Sequence, residues 1–220
     1  MSIISSIIMT LPGSTGPVYT PPVIPGHPGI PLTSAGITSV QVASIWEHLA
    51  NDPTKDVDID LYAWSYDSSF NDVLTGDCNY LTGYQAATGQ IQLPGFTHSS
   101  DNRGWGTASG QTSTPPFSEY INIDLNAISP NITYIVLAVN NNSSEPLGSI
   151  SNFSVSFTNI TGSGSVTLDT FTFPSTITEK AYSIAIVYKT AQGWYANILE
   201  KGISQLDPAI GSAICKTVLS

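Results

Sequence analysis

From about Ile37 onward, apolar and polar residues alternate in short runs, and clusters of Gly, Pro, Asn and Ser separate these runs. Side chains along a β-strand point alternately to opposite faces, so a period of two predicts strands with one buried and one exposed face. The predicted strands cover residues 39–46, 56–65, 120–125, 133–139, 153–157, 166–173, 182–188 and 194–199. Many short strands with such turns between them are typical of an all-β, two-sheet β-sandwich.

Two features near the C-terminus can also be predicted, a hairpin and a short helix. The loop Lys189-Thr190-Ala191-Gln192-Gly193 predicts a hairpin in which the glycine supplies a positive φ. After Asp207-Pro208, Ile210, Ile214 and Val218 recur every four residues, which predicts a short amphipathic helix within residues 206–220. Gly211 within that segment lowers its helix propensity.

The N-terminal segment has a different composition. Seven of the fifteen prolines lie between Pro12 and Pro31, in a stretch without charged residues. Proline fixes φ and lacks a backbone donor, so we predict an extended arm over residues 1–31, followed by the sandwich over residues 32–205. The arm begins with several isoleucines, each of which gains about 1.5–3 kcal/mol when buried. We therefore expect the arm to bind other subunits of a homo- or hetero-oligomer; the alternative is an arm folded back on its own sandwich.

The charge of the chain indicates which partners it can bind and in which compartment it is found. Charged residues make up 10% of the chain, the net charge is −10, and there are six Lys and Arg residues in all. Nucleic-acid binding needs a basic surface, so we expect no nucleic acid and favour a metal cation. The low charge favours an extracellular, cell-surface or virion location over the cytoplasm. No apolar run reaches about 18 residues, so we expect no transmembrane segment.

One predicted strand is acidic on one side. In Asp56-Val57-Asp58-Ile59-Asp60-Leu61-Tyr62-Ala63-Trp64, the aliphatic residues point to one face and the aspartates to the other. Carboxylates about 7 Å apart repel by about 0.5 kcal/mol in a water-like dielectric, and a hard divalent cation would relieve this repulsion. A solvated acidic edge that opposes aggregation explains the same spacing, so the strand alone leaves both interpretations open.

A second polar segment is His98-Ser99-Ser100-Asp101-Asn102-Arg103-Gly104-Trp105-Gly106. It is rich in side-chain oxygens, and its glycines allow backbone carbonyls to turn inward, as calcium-binding loops do. Asp and Asn are equally common in ordinary turns, so this loop by itself does not establish a metal site.

Six segments between residues 37 and 202 are informative together: Trp46-Glu47, Asp58-Ile59-Asp60, Ser100-Asp101-Asn102-Arg103-Gly104, Ile132-Thr133-Tyr134-Ile135-Val136, Ile150-Ser151-Asn152 and Gly193-Trp194. Taken in this order, they resemble the TerD family. The resemblance implies a calcium-binding β-sandwich with the ligands Asp58, Asp60, Asp101, Asn102 and Glu119. The family's acidic stretch before that glutamate is replaced here by the uncharged residues 109–118, which implies one site of lower affinity.

Other kinds of site find less support in the sequence. His27, His48 and His98 are scattered, so we interpret them as turn or surface residues rather than zinc ligands. There is no Gly-x-Ser-x-Gly motif, and we expect no enzymatic activity. Cys78 and Cys215 allow one disulfide but do not require it.

The predicted function is therefore a structural or adaptor subunit of a surface, virion or stress-related assembly, with Ca²⁺ as its bound ion. The alternative is a calcium-dependent carbohydrate-binding module with Trp64, Trp105 and Trp194 as a stacking platform. Packing beside the strands is the competing interpretation of Trp64 and Trp194.

Overall fold

A computed structural model of the chain describes residues 29–52, 54, 55, 57–73, 80, 81, 93–99, 102, 115–203, 211 and 213. In this part the chain forms eleven strands: β1 (Ile30–Pro31), β2 (Ser39–Trp46), β3 (Ile59–Tyr66), β4 (Tyr80–Leu81), β5 (Phe96–His98), β6 (Phe117–Asp124), β7 (Tyr134–Asn141), β8 (Ser154–Asn159), β9 (Val166–Thr172), β10 (Ala181–Thr190) and β11 (Gly193–Ile203). One turn of 3-10 helix covers Leu147–Ser149.

The strands form two antiparallel sheets. The six-stranded sheet has the order β1-β11-β10-β7-β3-β4, and the five-stranded sheet has the order β5-β6-β2-β8-β9. Strand β3 packs against β6 and β2 of the opposite sheet. The predicted all-β class is confirmed, and the acidic strand lies where side chains from the other sheet can reach it.

Eight of these strands correspond to the predicted ones. The bounds of β2 agree at both ends, and the others differ by a few residues, as is usual for strand ends. The strands β1, β4 and β5 were not predicted, because two or three residues are too few to show a period of two. Ile30–Pro31, at the end of the predicted arm, pairs with β11, and an edge strand tolerates proline because the missing donor faces outward.

The core lies between the two sheets. On β3, the inward residues Ile59, Leu61 and Ala63 are fully buried, as the alternation predicts. Trp46 is also fully buried, and its indole Nε1 donates a hydrogen bond to the carbonyl oxygen of Val57 at 3.0 Å. This bond satisfies the polar atom of a fully buried indole and holds the segment that leads into β3.

The predicted hairpin joins β10 to β11, with Thr190 paired to Gly193. Gly193 has φ +118°, so the prediction of a positive-φ glycine is confirmed. A Cβ at this position would lie 2.6 Å from Thr33, in the turn after β1. Glycine is therefore required both by the backbone conformation and by the close approach of a neighbouring loop.

The predicted helix of residues 206–220 lies largely outside the described residues, which include only Gly211 and Ala213 from it. Cys78, Cys215 and Trp105 also lie outside them. Within the described ranges, no helix has the length and apolar character needed to cross a bilayer.

Candidate metal centre

Two of the predicted ligands lie at the start of strand β3, with Asp58 directly before the strand and Asp60 within it. The backbone N–H of Asp58 donates to Ser143 Oγ at 3.2 Å, and its carbonyl oxygen accepts from the N–H of Asn142 at 2.8 Å. Asp60 is 8% exposed, and its Oδ2 accepts a hydrogen bond from the side-chain amide of Asn142. The loop that follows β7 thus holds both aspartates from one side.

Glu119 connects the acidic strand to the Asp-Asn loop. It lies on β6 among inward-facing residues and is fully buried. Its Oε2 accepts from the backbone N–H of Leu61 at 3.1 Å, and its Oε1 accepts from the backbone N–H of Asn102 at 2.9 Å. A buried carboxylate is costly unless it is hydrogen-bonded, and here each oxygen has a backbone donor.

His98, at the end of β5, is 9% exposed, so its interpretation as a turn or surface residue is wrong. Its Nδ1 lies 2.7 Å from the carbonyl oxygen of Ser99, and its Nε2 lies 3.2 Å from the carbonyl oxygen of Leu61. A neutral imidazole has one N–H and can donate to only one of these oxygens. Glu119 contacts the N–H of Leu61, and His98 contacts its carbonyl oxygen. Strand β4 pairs with β3 only at Ala63 and Trp64, so these two side chains bind backbone groups of β3 that β4 does not reach.

Three asparagines at the end of β7 also belong to this region, and they are not among the predicted ligands. The Nδ2 of Asn140 donates to Asn142 Oδ1 at 2.5 Å, and the Nδ2 of Asn141 donates to the carbonyl of Glu145 at 2.8 Å. Their register opposite the acidic strand, with Asp60 paired to Asn140, brings them to the aspartates. A run of three Asn at a strand end is the signal that would have pointed to them.

The structure therefore joins Glu119 to Asn102 and to Leu61, the neighbour of Asp60 on β3, while Asn142 contacts Asp60 and the backbone of Asp58. Asp101 and the carbonyls of Arg103 and Gly104 lie outside the described residues. Among the residues that are described, no three His, Cys, Asp or Glu side chains are grouped closely enough to hold a metal ion. The potential donors from β3 and the loop after β7 are carboxylate and amide oxygens, a set that fits a hard cation such as Ca²⁺ better than a soft one.

The fold and the site define the class of protein: an all-β sandwich with an acidic strand tied by a buried glutamate to a polar loop. A model of the TerD domain matches residues 29–206, and the chain belongs to this family. The resemblance noted in the sequence is thus confirmed.

Solved structures agree with this assignment at the level of the fold. A crystal structure of a homologue of the telluride resistance protein (TerD) from Streptomyces coelicolor A3(2) superposes with a TM-score of 0.60, at 19% identity, over 80% of this chain and 96% of that one. A protein of unknown function superposes with a TM-score of 0.60, at 14% identity, over 80% of this chain and 95% of that one. No curated protein matches the sequence significantly.

Proposed function

We propose that this TerD-family protein is a non-enzymatic, calcium-binding subunit of a larger assembly. The observation that carries the proposal is the double contact of Glu119, whose carboxylate joins the N–H of Leu61 to the N–H of Asn102. This contact brings Asn102 beside the Asp-x-Asp strand. Asp101 directly precedes Asn102 in the sequence, and the proposal takes it as a further ligand.

In this proposal the predicted ligands have two roles. Asp58, Asp60 and Asp101 supply anionic oxygens to Ca²⁺, and Asn102 supplies a neutral one. Glu119 acts chiefly as a positioning residue, because both of its oxygens already accept backbone hydrogen bonds. With few anionic ligands, the affinity is expected to be lower than in a calcium site that has four or five carboxylates.

Titration calorimetry of the full chain tests the calcium site. Adding Ca²⁺ to the wild type should release or absorb heat, and Asp101→Ala and Asp60→Asn should bind Ca²⁺ much more weakly. The matched control is Asp169→Asn, in strand β9 of the other sheet, which should bind like the wild type. Ca²⁺ should also raise the melting temperature, since a ligand at about a hundred times its Kd stabilises the folded state by about 2.7 kcal/mol. Equal binding by wild type and Asp101→Ala would refute the ligand assignment.

The role as a structural or adaptor subunit, in a surface, virion or stress-related setting, is supported by the composition of the N-terminal arm. Since Ile30–Pro31 pair with β11, a deletion should end at residue 28 so that β1 is retained. The truncated protein is expected to fold and bind Ca²⁺ but not to join its assembly, as measured by native mass spectrometry of protein purified from its source. A truncated protein that assembles normally would contradict this role.

The carbohydrate-binding alternative finds no such support among the described residues. Trp64 and Trp194, two of the three aromatic residues proposed as a stacking platform, are 1% and 7% exposed. Buried indoles cannot stack on a sugar in solvent, so we propose no second function.

A further inference from the structure

The side of the five-stranded sheet that faces away from the core, called here the open face, carries side chains in rows that cross the strands. The central row crosses β9, β8, β2 and β6 as Thr170, Ser156, Ala43 and Tyr120. The row beside it crosses the same strands as Thr172, Ser154, Ile45 and Ser118. On each of these strands the residues between them point into the core, so both rows point outward.

The open face is exposed, unlike the corresponding side of the other sheet. Ile45 is 44% exposed and Tyr120 is 38% exposed, which is unusual for large hydrophobic side chains in the described part of the chain. On the six-stranded sheet, the outward residues Trp64 and Tyr66 are buried, and Gly211 of the C-terminal segment lies against the Tyr66 hydroxyl. The outer side of one sheet is therefore covered, whereas the outer side of the other is not.

The open face is also uncharged, although the chain has a net charge of −10. Neither row contains Lys, Arg, Asp or Glu, and the next row contains Gln41 and Asn122, whose side chains share a hydrogen bond of 2.8 Å. The outward carboxylate of β6, Asp124, lies at the end of that strand. Two acidic copies repel where their carboxylates meet, so this face allows them to approach without that repulsion. Burying amides that are already hydrogen-bonded costs little.

The pattern of large and small side chains on the open face is self-complementary. Strand β2 is the third of the five strands in this sheet. A two-fold axis along β2, midway between two such faces, places β6 of one copy over β8 of the other. Tyr120, the largest side chain of the face, then lies over the small Ser156 of the second copy, and the reverse contact follows by symmetry. Residues of β2 meet their own counterparts, Ala43 over Ala43 and Ile45 over Ile45.

We propose that two copies of this chain pair through their open faces, with a two-fold axis along β2. This pairing rests on the proposed role as a subunit of an assembly and specifies one contact within it. At about 3.3 Å per residue and about 4.8 Å between strands, the five strands present about 500 Å² per copy. Two copies then bury about 1,000 Å², which is at the lower end for a specific interface, so the dimer is weak and reversible.

Sedimentation velocity of the full chain at increasing concentration tests the pairing. Wild type is expected to shift from one copy to two between about 1 μM and about 1 mM, the range of weak affinities. Ala43→Arg brings two like charges together on the axis and should weaken the dimer by about a hundredfold or more. The matched control is Gln192→Arg, which adds the same charge at an exposed position in the hairpin between β10 and β11 and should dimerise like the wild type.

A mixture of two charge variants tests the position of the axis. Ala43→Arg and Ala43→Glu should each be monomeric alone, but opposite charges meet on the axis when the two are mixed, so the mixture should form a heterodimer. Native mass spectrometry distinguishes this heterodimer from either homodimer. Ile45→Arg and Ile45→Glu repeat the test at a second position on the axis, which is 44% exposed and tolerant of a charge. A mixture of Gln192→Arg and Gln192→Glu should show no preference for the heterodimer.

Three results would overturn the proposal. The first is a wild-type chain that stays monomeric throughout this concentration range. The second is a wild-type dimer that Ala43→Arg weakens no more than Gln192→Arg does. The third is the absence of a heterodimer from the mixtures of charge variants at both Ala43 and Ile45. Calcium titration of the same samples reports on the proposed metal site separately, because the open face points away from the core and from the acidic strand.

Discussion

Replacing Glu119 by glutamine tests the contact on which the site depends. In wild type one buried carboxylate accepts two backbone hydrogen bonds, from Leu61 at 3.1 Å and from Asn102 at 2.9 Å. The amide of glutamine keeps one acceptor but turns an NH₂ group toward the other backbone N–H. The variant therefore loses one charge-assisted hydrogen bond and leaves a backbone donor facing another donor.

The expected loss is about 1.5–3 kcal/mol in the free energy of unfolding, the usual range for a hydrogen bond to a charged group. A domain of this kind is typically stable by about 5–15 kcal/mol, so the variant should still fold. Urea denaturation in the presence of a chelator, followed by tryptophan fluorescence, measures this loss without any contribution from bound calcium.

Glu145→Gln is the matched control for this substitution. Glu145 is 37% exposed and pairs with Lys55 at 3.4 Å, and such surface ion pairs contribute about 0–1 kcal/mol. If Glu119→Gln costs no more than Glu145→Gln, the Glu119 carboxylate does not hold β3 and the loop together, and the geometric basis of the proposed calcium site fails.

Three further substitutions test other contacts by urea denaturation. Trp46→Phe, which leaves the buried carbonyl of Val57 without its indole donor, should cost about 1–3 kcal/mol. Gly193→Ala should cost more than Gly162→Ala, because only the former adds a steric clash to a positive φ. Hydrogen bonds, above all from the side chain of Asn71, hold the pKa of Asp67 below its usual 3.8. The ionised carboxylate therefore stabilises the folded state above pH 3.8, and this contribution is lost as the pH falls through the lowered pKa. The destabilisation caused by Asp67→Ala should therefore shrink between about pH 6 and pH 2.

The predicted and observed strands show why local sequence patterns are sufficient to predict the fold class. Eight strands have enough residues to show alternation, and one buried face per strand requires a second layer, so the sandwich follows from the sequence. The pairing order does not follow in the same way, because β3 joins β7 and β7 joins β10 through contacts between residues far apart in the chain.

For the candidate site, the sequence and its family resemblance indicated the acidic strand, the Asp-Asn loop and Glu119. A glutamate at an inward position of β6, between Phe117 and Ile121, already signals an unusual buried charge. What it contacts depends on how the two sheets pack, because the backbone N–H of Leu61 is exposed to it only where β4 does not pair with β3.

Alternation along the chain thus determined the β-sandwich, whereas proline content and charge led only to the predictions of a separate arm and of a bound cation; each of these depends on residues close in sequence. Only the tertiary structure decided that His98 is buried and that Asn142 faces Asp60. It also showed that Gly29 lies against Tyr188 and Asn197. These contacts join segments that are distant in sequence, and strand register and sheet packing, rather than local composition, set which side chains meet.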